Sequence, residues 1–96
     1  MIRHIVLFSA RDPKNIRIIR DGLRNLKAIP SANILEVEYN NQKDQWSNEV
    51  DVVVYGEFKS EKELAEFKSH KIYKDTIKVI KPLRELRIAV DIEPTI

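Results

Sequence analysis

Hydrophobic and polar positions follow two different periods along this chain, and the changes of period mark out six elements. In "RHIVLFSA", residues 3–10, the period is that of a strand: Ile2, His4, Val6 and Phe8 share one face, Ile5 and Leu7 the other. Apolar side chains on both sides predict a strand covered on both faces. "RDPKN" supplies a helix start, with Asp12 able to cap and Pro13 at the first helical position. Ile16, Ile19, Leu23 and Leu26 then recur at helical spacing and predict an amphipathic helix. Gly22 weakens that helix by about 1 kcal/mol relative to alanine without ending it. Pro30 ends it, because it disfavours a helical backbone at Ile29.

"ILEVEYN", residues 34–40, alternates cleanly, with Leu35, Val37 and Tyr39 on one face and Glu36 and Glu38 on the other. That pattern predicts a strand with one wet face, or an edge strand. A polar loop containing Trp46 follows. "VDVVVYGEF", residues 50–58, is the most strand-like segment, with three consecutive valines. Ser60 to Glu63 form a capping box that opens a second helix. Its acids come first (Glu61, Glu63, Glu66) and its lysines last (Lys71, Lys74, Lys78, Lys81), which complements the helix dipole. We expect one continuous helix up to Pro82, then a last strand, "LRIAVDI".

The order is β-α-β-β-α-β, in which each helix links two strands. This predicts an α+β fold of ferredoxin-like type, with both helices on one face of an antiparallel four-stranded sheet. No repeat or linker interrupts it, so residues 1–96 are expected to form a single domain. The helices leave one sheet face bare, yet the first and third strands carry apolar residues on both. A second copy packed sheet against sheet is the simplest cover, and a homodimer is expected.

Composition narrows the function classes. Cysteine is absent, so disulfides and thiolate metal sites are excluded. No His/carboxylate cluster has ligand spacing, and with only Gly22 and Gly56 there is no phosphate-binding loop, so neither a metal nor a cofactor is expected. Seventeen basic residues against 15 acidic ones give a net charge of +2, too mild to draw the chain to nucleic acid or an anionic membrane. Lys14, Arg17, Arg20, Arg24 and Lys27 form a ladder on the first helix, but no aromatic residue interleaves with them. We read that ladder as a solvated face, with Asp21 placed to pair with Arg17 or Arg24. "IVLF" is too short for a membrane span or a signal-peptide core, and a cytoplasmic protein is expected. Trp46 is either folded back on the domain or an interface anchor.

The candidate chemistry lies with His4, His70 and Tyr73. The two histidines are the only side chains here that titrate near neutrality when unperturbed. At helical spacing Phe67, His70, Tyr73 and Ile77 form one stripe, and His4 shares its strand face with Val6 and Phe8. The fold could bring these together as a small apolar pocket walled by Val6, Phe8, Phe67 and Ile77. His4 and His70 would be its acid/base groups, with the Tyr73 hydroxyl as a third polar point. The plainer alternative is a hydrogen-bonded core histidine beside a buried tyrosine.

"MIRHIVLF" at the start, "VDVVVYGEF" followed by "SEKELAEFKSH", and "RIAVDIE" at the end together resemble the stress-responsive A/B barrel domain family. His4, Asp51, Phe58, Leu64, Phe67, His70 and Asp91 carry the resemblance. It implies a dimeric α+β barrel built from two ferredoxin-like subunits. The family's pattern often has a proline after the helix histidine and a second histidine three positions on; this chain has Lys71 and Tyr73. In the family's plant polyketide cyclases that second histidine is the proposed base, working with a tyrosine that aligns with Phe67. The resemblance therefore implies binding of a small hydrophobic or aromatic molecule, with cyclase- or lyase-like proton transfer as an open option. The alternatives are a non-catalytic stress-associated or assembly protein, and a cofactor-free barrel of the monooxygenase type.

Overall fold

The two strands with apolar residues on both faces, β1 (Ile2–Ala10) and β3 (Val52–Phe58), lie at the centre of the sheet. The computed structural model describes residues 1–95. β2 (Ile34–Tyr39) and β4 (Arg84–Ile92) form the edges, giving the antiparallel order β2-β3-β1-β4. Three helices, α1 (Ile16–Leu23), α2 (Glu61–Ser69) and α3 (Lys71–Ile80), cover one face. This is the ferredoxin-like arrangement that the alternation of elements implied.

The core lies between sheet and helices. Ile2, His4, Val6 and Phe8 of β1 and Val52, Val54 and Phe58 of β3 are buried against Ile19, Leu23, Leu64, Phe67 and Ile80. On the far face Ile5, Leu7 and Val53 are only half-buried, and Ile34, Ile88, Val90 and Ile92 are exposed. β2 has the expected register: Val37 is buried, while Glu36 and Glu38 are exposed. At its free edge lies Arg24, whose Nε donates to the Val37 carbonyl and whose guanidinium grips both oxygens of Glu38 at 2.9 and 3.0 Å. Arg24 thus pairs with Glu38 rather than Asp21, which is left to Arg17 and Arg20. The bond from Arg24 to Val37 occupies one outward carbonyl of the edge, where a further strand would otherwise pair.

Two elements differ from expectation. α1 stops at Leu23 and tightens into a 3-10 segment over Arg24–Ala28, so the helical stripe continues to Leu26 on a narrower spiral. The second helix is two helices. His70 has an extended backbone, φ −65° and ψ 144°, and its Nδ1 accepts the Ile72 N–H at 3.0 Å. It closes α2 and caps α3, a local side-chain bond that outcompetes helix continuation. Trp46 is 86% exposed, so it is not folded back on its own domain. Among the described residues no helix is long and apolar enough to cross a membrane.

Candidate functional site

β1 and its neighbours assemble the site around His4. In the register, His4 lies between Gly56 of β3 and Asp91 of β4. Its side chain is 2% exposed, and Nδ1 lies 2.5 Å from Asp91 Oδ1. A carboxylate can only accept, so Nδ1 carries a proton, and in the neutral ring Nε2 keeps its lone pair. Nε2 has no hydrogen-bond partner among the described residues. Burial pushes the imidazole below its ordinary range, against the hydrogen bond and charge of Asp91, and the Lys68 and Arg87 charges add to the downward push. At neutral pH His4 is therefore an uncharged base, oriented by a carboxylate.

Four rings run from this base to the helix layer. His4 meets Phe58 edge-on at 6.2 Å, Phe58 meets Phe67 at 5.0 Å, and Phe67 meets Tyr73 at 5.4 Å. Gly56 makes room for the chain: a Cβ there would come within 2.8 Å of Phe58 Cε1. Beside the rings is a cavity of about 10 Å³, room for one water molecule. Its lining includes His4, Val6, Phe8, Phe67, Tyr73 and Ile77, together with Arg87 of β4. The Tyr73 hydroxyl makes no hydrogen bond to a described residue.

The structure thus gathers six of the seven residues singled out from the sequence. His70 is the one left out. It stands at the α2–α3 joint, with Nδ1 engaged by the backbone, and does not line the cavity. Sequence reasoning did not assign Asp91 or Arg87 to the site. Asp91 stands out once β1 and β4 are laid antiparallel, because it then falls opposite His4. The same register puts Arg87 opposite Phe8.

Comparison with known proteins places the chain and its fold. The sequence pattern of the stress responsive A/B barrel domain matches residues 2–94. A protein from Arabidopsis thaliana of known structure is 18% identical, with a TM-score of 0.80 over 99% of this chain and 96% of its own. A dimeric ferredoxin-like protein of unknown function from Thermobifida fusca is 23% identical, with a TM-score of 0.79 over 95% of this chain and 88% of its own. An antibiotic biosynthesis monooxygenase superposes with a TM-score of 0.80 at 13% identity, over 99% of both chains. No curated protein is similar enough to count as a match.

Proposed function

This chain belongs to the stress responsive A/B barrel domain family, and we propose that it acts in the cytoplasm as a homodimer that binds a small hydrophobic or aromatic molecule at His4. The observation that carries this reading is the His4–Asp91 pair: a buried, neutral imidazole held by a carboxylate at 2.5 Å, in a residue that lines an apolar cavity. That is the arrangement of a general base and its orienting group. Nε2 takes a proton from the ligand, and the Tyr73 hydroxyl holds the oxygen on which charge develops. The aromatic walls exclude water and favour a flat apolar ligand.

A cavity of about 10 Å³ admits water and nothing larger, so ligand entry requires the helix layer to move. The break at His70 supplies the hinge: α3, which carries Tyr73 and Ile77, is a separate segment from α2. The same small volume favours a second reading, in which the pair is a core hydrogen bond and the protein is a non-catalytic dimer.

Calorimetric titration with 1-naphthol separates the two. The first reading expects saturable binding that weakens roughly tenfold in Tyr73→Phe, the loss of one good hydrogen bond. Absence of binding to the wild type at millimolar ligand would overturn it in favour of the second.

A further inference from the structure

β4 is not a regular strand. Phe8 of β1 pairs with Arg87, but Ala10 pairs with Arg84, so Ser9 of β1 alone faces Glu85 and Leu86 of β4. The extra residue is a bulge, and Ser9 holds it: its Oγ accepts the Leu86 N–H at 3.0 Å. In a regular strand, positions 84 and 87 would point to opposite faces. Here Phe8 and Ala10 share a face, and their partners Arg84 and Arg87 therefore share it too.

That face is the one over which α3 packs. Arg87 lines the His4 cavity, and Arg84 lies near enough to feel both Arg87 and Tyr73. Both arginines are half-buried as residues. Burial and the Arg87 charge push Arg84 below its ordinary range, so the two cations are held together at an electrostatic penalty. Among the described residues no acid is ion-paired with either. The ion pairs among the described residues all use other cations, with Glu85 turned to Arg11 and Asp91 held by His4. Lys68 of α2 adds a third positive charge close enough to act on His4. Two arginines brought to one face by a bulge, in no ion pair among the described residues, offer guanidinium donors of the kind that take a carboxylate.

We infer that Arg84 and Arg87 form an anion site on the rim of the His4 cavity, and that the ligand is a small aromatic or hydrophobic carboxylic acid. Its carboxylate rests on the two guanidiniums and its apolar part points to His4. The site rests on the ligand-binding reading above and narrows it from hydrophobic molecules in general to organic anions. Arg87 and Arg84 set specificity; neither accepts a proton.

Benzoate and its neutral counterpart benzamide are the probes, titrated into the intact protein while side-chain NMR signals of His4 and Tyr73 are followed. Benzoate should bind roughly tenfold more tightly than benzamide, as expected for a charge-assisted bond. Arg84→Gln with Arg87→Gln should remove that preference, weakening benzoate more than benzamide. Salt gives a second measurement that needs no variant: at about 0.5 M the preference should shrink as the exposed part of the attraction is screened. Equal binding of the two probes by the wild type overturns the anion site while leaving the cavity reading intact. If neither probe shifts His4 or Tyr73, both fall together.

Discussion

At position 4 the strand pattern asks for an apolar side chain and receives a histidine, which makes its protonation a stability matter. An unfolded imidazole titrates near 6.5, and burial holds the folded one lower. Between the two values the unfolded state binds more protons, so stability is fully present above about 6.5 and is lost as pH falls through the folded value. Urea midpoints measured against pH should therefore drop more steeply below 6.5 in the wild type than in His4→Gln, which keeps the same carboxylates and His70. Parallel curves would mean that His4 does not titrate differently in the two states. Gly56, the strand partner of His4, gives a second test at this scale. An added methyl would meet Phe58 Cε1 at 2.8 Å, and that ring is held between His4 and Phe67. Gly56→Ala should cost about 1–3 kcal/mol in a denaturant titration, as overpacking does. A neutral result would show that the ring chain yields easily. The walls of the site were legible in the sequence because period-2 and helical spacings select one face each: Val6 and Phe8 from the strand, Phe67, Tyr73 and Ile77 from the helix. Asp91 was not placed there, because cross-strand partners depend on register rather than on local pattern.

At the scale of elements, local side-chain bonds decided what periodicity could not. The spacing from Phe67 to Ile77 is consistent with one helix, and the apolar residues do face inward. Yet His70 bonds to the Ile72 N–H and divides the segment in two. A histidine acting as its own helix cap leaves no trace in a hydrophobic stripe. His70→Ala should lose that cap and about 0.5–2 kcal/mol, whereas His70→Asn, which can accept the same N–H, should recover most of it. Equal losses in both variants by thermal unfolding would remove capping as the role of His70. The β4 bulge escaped detection for a similar reason. Counting alternate residues puts Arg84 and Arg87 on opposite faces, and only the shift opposite Ser9 brings them together. Ser9→Ala leaves the half-buried Leu86 N–H without its partner, at a cost of about 1 kcal/mol. The effect should be visible as faster hydrogen exchange at Leu86, and an unchanged rate would show that the pairing ladder holds the bulge unaided.

For the whole molecule, the bare sheet face was the feature most legible in the sequence, since helices on one side cannot account for apolar residues on both. Ile34, Ile88, Val90 and Ile92 remain exposed there, next to half-buried Ile5, Leu7 and Val53. Such a contiguous apolar surface marks an association site. A two-fold axis would lay like against like, so each buried side chain counts twice. Sedimentation at micromolar concentration should give twice the 11.3 kDa chain mass, and Val90→Glu should shift the protein to monomer. A wild-type monomer throughout that range would contradict the dimer. Trp46 escapes this account: it stands 86% exposed in its loop, and nothing in the fold of one chain explains it. The central claim, however, is that the fold presents a neutral imidazole base to a cavity. The most direct measurement is ¹⁵N NMR of the His4 ring at neutral pH, with and without 1-naphthol. The account predicts a protonated Nδ1 and an unprotonated Nε2, with the Nε2 resonance moving when ligand is added. A ring protonated at Nε2, or an Nε2 resonance indifferent to saturating ligand, would contradict it.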